Sequence, residues 1–202
     1  MYPFFESIKA DSEHGVHNVQ KHIDRLEKTC QTVWQQSPSY LQELRTEIER
    51  IQVDSVHKIR LQYNIQQYKI STTPYTPKDI KSIVVVEDND IDYALKYSNR
   101  HCFDKHLKLL EPNSELIIVQ EGRITDSSFS NLIFFDQEKW VTPQKPLLYG
   151  IQRDNILLQN LAKPKDIFVD ELNTFSHIMF VNAMLAWSQM IIKNPFFYGN
   201  VL

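Results

Sequence analysis

The chain has 202 residues, enough to bury a core as one domain or two small ones. Its formal charge of −3 supplies no basic stripe, which removes the electrostatic case for a nucleic-acid partner. Its apolar runs fall short of a membrane span, and the start Met1-Tyr2-Pro3-Phe4-Phe5-Glu6 lacks a signal peptide's charged-then-apolar layout, so a cytoplasmic location without a membrane partner is expected.

From Val16 onward, Val19, Ile23, Leu26, Cys30 and Val33 step by three and four, which predicts an amphipathic helix with Asp24, Glu27 and Lys28 outward. Pro38 closes the gap, and Ser39 is the predicted N-cap of a second helix buried through Leu41, Leu44, Ile48 and Ile51. Residues 58–65 alternate at period two, as a half-buried strand does. Residues 71–77 concentrate turn formers and two prolines, and so read as a connection and the domain boundary. Beyond it, the β-branched run 82–86 suits a strand covered on both faces. Further strands are expected at 115–120, 132–135 and 177–181, with helices over 101–110 and 151–161.

Cys30 and Cys102 are far apart, carry no ligand spacing, and read as buried small apolar residues. Of the seven histidines, His14 and His17 lack a third ligand nearby, while His101 and His106 lie five apart, off a common helical face. No metal site is expected from these patterns. Four glycines cannot assemble a Rossmann fingerprint or a P-loop.

Several blocks stand in a suggestive order. They are Phe5-Glu6-Ser7-Ile8, the helix block His22-Ile23-Asp24-Arg25-Leu26, the stretch around Lys96 that ends in Asn99-Arg100, then Gly122 to Phe134, Thr142-Pro143, Leu148 to Arg153, and Val181-Asn182-Ala183. Their order and spacing resemble the class IV aminotransferase family of pyridoxal-phosphate enzymes, which includes branched-chain and D-amino-acid aminotransferases and 4-amino-4-deoxychorismate lyase. The resemblance implies an α+β, two-domain class IV fold, with a small N-terminal α+β domain over 1–77. A larger mixed-strand, cofactor-binding domain would follow over 78–202. It also implies pyridoxal 5'-phosphate as cofactor, a small amino-acid-like substrate and a homodimer, because related enzymes complete their pockets across a two-fold interface.

By that resemblance Lys96 is the lysine that holds the cofactor covalently and moves protons at the substrate Cα. On the residues alone it reads as a solvated lysine at a strand end, and the family context reverses that reading. Asp126, five residues before Asn131, stands where the family has a glutamate beside the cofactor's ring nitrogen; on the residues alone it is a turn-forming aspartate. The turn before Ile151 and Gln152 would present helix N-terminal amides to the phosphate, with Gln152 in place of the family's usual threonine. Arg25 would supply the phosphate's cation, and Asn182 matches the lyase branch. Arg45, Arg60, Arg100 and Arg123 all remain open as the partner of a substrate carboxylate. The leading expectation is a 4-amino-4-deoxychorismate lyase-like enzyme that releases pyruvate and forms 4-aminobenzoate. A branched-chain or D-amino-acid type transaminase and a catalytically impaired homologue stand as alternatives.

Overall fold

A computed structural model describes residues 2–195 and 197–198. Its contacts divide into two units, Met1–Thr76 with Leu95–Asn99, and Pro77–Ala94 with Arg100–Leu202. The architecture is mixed α and β with one sheet in each unit, as the α+β expectation requires. Among the described residues no helix is long and apolar enough to cross a membrane.

In the first unit, β1 (Phe4–Asp11) and β2 (Gly15–Val16) form a hairpin whose turn uses Gly15 at φ +68°, a left-handed conformation natural to glycine. Then come α1 (Val19–Trp34), α2 (Leu41–Glu49), β3 (His57–Tyr63) and β4 (Tyr68–Pro74). The sheet runs β2-β1-β3-β4, with β1 antiparallel to β3. Phe4, Ile8 and Ala10 of β1 and Ile59, Leu61 and Tyr63 of β3 alternate onto one face and pack with Leu26, Cys30, Leu44 and Ile48 from the two helices. Glu6 lies in the same alternation, so its carboxylate enters that core and needs partners there.

The second unit opens with β5 (Ser82–Glu87) and α3 (His101–Leu107), followed by β6 (Ser114–Gln120), β7 (Arg123–Ser127), β8 (Asn131–Phe135) and β9 (Trp140–Pro143). After α4 (Ile151–Leu158) come β10 (Lys163–Lys165), β11 (His177–Val181), β12 (Ile191–Lys193) and β13 (Phe197–Tyr198). These strands form one mixed sheet with the path β10-β9-β8-β7-β6-β5-β13, and β11 pairs with both β8 and β12. β5 and β6 run parallel, whereas β6 to β9 are antiparallel, so successive hairpins bring the ends of β7, β8 and β9 together.

Several expectations are corrected. Ser39 does not cap α2: Tyr40 precedes the helix with no side-chain cap, because its ring is buried and its hydroxyl donates to Asn64 O at 2.5 Å. Val33 lies 43 % exposed at the end of α1, beyond the part of the stripe the sheet covers. The supposed connection over 71–77 is largely β4, paired along its length with β3; Pro74 sits at its end, where a missing N–H costs the ladder little. Helices α3 and α4 each stop three residues earlier than expected, at Leu107 and Leu158. Cys102 is only partly buried, unlike Cys30.

Candidate active site

In the first unit, Glu6 is fully buried and is met from α1 by two side chains one turn apart. Arg25 donates to it in the paired fashion of a guanidinium on a carboxylate, with Nε 2.9 Å from Oε1 and Nη2 on Oε2. His22 Nδ1 stands 2.7 Å from Oε2. Burial by itself would raise the Glu6 pKa, but the charge of Arg25 and the hydrogen bonds from His22 and Arg25 outweigh it and hold the carboxyl at about 2. Burial also lowers His22, reinforced by the positive charges of Arg25 and Lys96 and opposed by Glu6. A neutral His22 that donates from Nδ1 leaves Nε2 with a lone pair and no hydrogen-bond partner in the structure.

Lys96 belongs to this unit. Its irregular segment is tied to β1 by the bridge between Phe4 and Tyr97 and by hydrogen bonds from Phe5 N–H to Lys96 O at 3.0 Å and from Ser98 N–H to Pro3 O at 2.7 Å. These contacts fix the backbone beside Phe5, and the ammonium lies 4.8 Å from that ring's centroid. Arg60 approaches the same ring at 4.1 Å. Of the four arginines left open by sequence, Arg60 is therefore the one that shares a side chain with Lys96. Arg45 pairs with Gln20, Arg100 donates to Ser128 O at 2.6 Å, and Arg123 stacks over Phe168.

In the second unit, Asp126 lies within β7 rather than in a turn, opposite Asn131 on β8. Its carboxylate is buried and accepts two hydrogen bonds, from Asn131 Nδ2 to Oδ1 at 2.7 Å and from the Leu148 N–H to Oδ2 at 2.9 Å. The Asn131 amide also donates to Leu148 O at 2.8 Å, so one side chain locks the β7–β8 hairpin to the segment entering α4. Two residues on, Gly150 passes so close that a Cβ there would lie 2.0 Å from Asn131 Oδ1; any other residue would force the two apart. Burial pushes Asp126 up to about 7, against the hydrogen bonds from Leu148 and Asn131 and the charge of Arg153.

Arg153, on α4, is itself buried and anchored by hydrogen bonds to Thr142 Oγ1 at 3.3 Å and Pro143 O at 2.8 Å. Its role gives no signal beyond membership of a block, because the partners sit ten and eleven residues away. The helix begins with the Asp154 N–H to Gly150 O bond at 3.0 Å, so the amides of Ile151, Gln152 and Arg153 precede the intrahelical ladder. The Gln152 side chain accepts from Asn155 at 3.4 Å. Asn182 closes its own turn, accepting from the Met184 and Leu185 amides at 2.8 and 3.1 Å, and donates to Phe129 O in the turn after Asp126 at 3.3 Å.

Thus Arg25 and Lys96 cluster around Glu6, His22 and Phe5. Asp126, Ile151 and Gln152 are drawn together through Asn131 and Gly150, and Asn182 reaches the same hairpin. Glu6, His22, Asn131 and Arg153 are the residues whose parts sequence reasoning missed. Glu6 becomes recognisable as an inward charge only once β1 is placed as an alternating strand.

The family model for amino-transferase class IV matches residues 3–190. A curated but uncharacterised protein of Haemophilus influenzae is 30 % identical over 187 residues, covering 91 % of this chain and 98 % of that one. Among solved structures, one from Haemophilus somnus, named as a candidate 4-amino-4-deoxychorismate lyase, shares 31 % identity at a TM-score of 0.80, covering 91 % of this chain and 97 % of its own. The pyridoxal-phosphate-bound form of a hypothetical aminotransferase from Mycobacterium tuberculosis shares the fold, with 15 % identity, a TM-score of 0.73, and 91 % and 77 % coverage. The chain therefore belongs to the class IV aminotransferase family of pyridoxal-phosphate-dependent enzymes.

Proposed function

We propose that the protein is a 4-amino-4-deoxychorismate lyase, acting in the cytoplasm as a homodimer on a small amino-acid-like substrate, and that its two units are the family's N-terminal and cofactor-binding domains. The observation that carries the reading is the 31 % identity, across nearly the whole of both chains, to the Haemophilus somnus protein named as a candidate lyase. A transaminase of the same family is the second reading, favoured by the aminotransferase names among the structural neighbours.

The residues present fit pyridoxal phosphate. A buried carboxyl poised near neutrality suits a ring nitrogen that must share a proton, and the α4 N-terminus offers amides to a phosphate. Among the described residues five buried side-chain polar atoms have no hydrogen-bond partner in the structure, His22 Nε2 in the first unit and Ser128 Oγ in the second among them. When bound, the cofactor supplies an electron sink for the charge left as the substrate Cα loses its proton. Lys96 is assigned the covalent attachment and the removal of that proton. Asp126 partners the ring nitrogen, and its carboxylate is kept in place by Asn131 and the Leu148 amide. Arg25 and the Ile151 and Gln152 amides take the phosphate. Glu6 fixes the Arg25 guanidinium in one plane, so the N–H groups not turned toward Glu6 keep a set direction.

Supplying aminodeoxychorismate should yield pyruvate and 4-aminobenzoate in equal amounts. A parallel panel of L- and D-amino acids with 2-oxoglutarate should give no comparable turnover. Turnover confined to the panel would hand the case to the transaminase, and inactivity in both assays with cofactor bound would mark an impaired homologue.

The Arg25→Lys variant keeps a charge but loses the fork. It should weaken cofactor binding about tenfold, read as the dissociation constant in an absorbance titration. An unchanged constant would mean that Arg25 serves Glu6 alone.

Asp126 sets a pH dependence in the cofactor-free protein. Burial raises its folded pKa to about 7, above the ordinary aspartate value of 3.8, so the native state holds this proton more tightly. Its contribution to stability is therefore complete below pH about 4 and is lost as pH rises to about 7. Denaturant midpoints measured across that window should fall with pH more steeply for the wild type than for Asp126→Asn. Parallel slopes would show that Asp126 titrates as an ordinary carboxyl.

A further inference from the structure

The β1–β2 hairpin of the first unit carries a cluster unrelated to the site above. Sequence spacing left His14 and His17 without a third ligand, and the hairpin supplies one by folding Asp11 against them. One ligand-type atom from each of the three lies within 4.8 Å of the others. The register accounts for this: Asp11 pairs with Gly15 and Ala10 with Val16, and the His17 N–H donates to Lys9 O at 2.9 Å, so His17 returns alongside Asp11. The Asp11 carboxylate is divided between two tasks. Oδ1 accepts the backbone N–H groups of Glu13 and His14 at 3.2 and 2.8 Å, which fixes the loop and orients the group, while Oδ2 lies 2.6 Å from His17 Nε2. His14 Nδ1 stands 3.6 Å from Asp11 Oδ1, and the exposed Glu13 brings Oε2 to 3.8 Å from that same nitrogen.

We propose that Asp11, His14 and His17 bind a divalent transition-metal cation of the zinc class, with solvent completing its coordination. Two imidazoles with carboxylates suit zinc, cobalt or nickel, whereas magnesium and calcium take oxygen ligands throughout. A carboxylate whose second oxygen is held by backbone amides is already oriented, as ligating groups are by their outer hydrogen bonds. The cation takes the place of the hydrogen bond between Asp11 Oδ2 and His17 Nε2, which requires the neutral imidazole with its proton on Nδ1. Lys9, with its ammonium 3.4 Å from Asp11 Oδ2, is the internal competitor for the same oxygen.

The test is a calorimetric titration of the full chain, stripped with chelator, with zinc chloride, together with the visible spectrum after cobalt is added. Zinc should bind once per chain in the micromolar range, and cobalt should show the intense bands of a low-coordinate site. His14→Ala and His17→Ala should each weaken zinc binding by about tenfold or more, since each removes a whole ligand. Lys9→Met should tighten it. His14 is 63 % exposed by side chain, so His14→Ala should leave the circular dichroism spectrum and cofactor absorbance unchanged, which separates ligand loss from unfolding. Zinc binding that survives the double His14→Ala, His17→Ala change would overturn the proposal, as would no saturable binding up to millimolar zinc. An Asp11→Ala variant that binds zinc as tightly as the wild type would overturn the proposal by removing Asp11 from the ligand set.

Discussion

A carboxylate taken out of water must find donors or give up its charge, and much of the second unit is arranged around that demand at Asp126. Its two oxygens are met by Asn131 and the Leu148 amide, and the Asn131 amide reaches on to the Leu148 carbonyl. That arrangement brings the β7–β8 hairpin against the entry to α4 so closely that only glycine fits at position 150. Arg153, one turn into the helix, adds a buried positive charge and is held in turn by Thr142 and Pro143. The blocks Gly122 to Asn131, Thr142-Pro143 and Leu148 to Arg153 are therefore parts of one hydrogen-bonded assembly. Their spacing along the chain is the spacing that closes it.

The first unit solves the same problem differently. Glu6 has a paired cation within its core and stays ionised at about 2, whereas Asp126 is met mainly by neutral donors and rises to about 7. One carboxyl is thus a fixed charge that orients Arg25. The other sits where a modest change in its surroundings moves a proton.

Helices and central strands were legible because their burial repeats at short range: α1 and α2 follow the stripes of Leu26, Cys30, Leu44 and Ile48, and β3 and β11 follow their apolar patterns. β1 is hidden as a strand because Glu6 breaks its apolar face, and β4 because its exposed threonines and Pro74 imitate a loop. The roles proposed for Lys96 and Asp126 rest on the family resemblance. What holds them could not be read at all, since the partners of Asp126 lie five and twenty-two residues away and depend on strand register. Asp11 joined His14 and His17 for a similar reason, a hairpin turn rather than a linear motif.

The assignment of Lys96 is central, because every other role is placed relative to it. The direct measurement is borohydride reduction of the cofactor-loaded protein followed by peptide mapping. The pyridoxyl group should appear on Lys96 alone, and a Lys96→Ala protein should give no reduced adduct. Recovery of the label on another lysine, or an undiminished adduct in the Lys96→Ala protein, would contradict it.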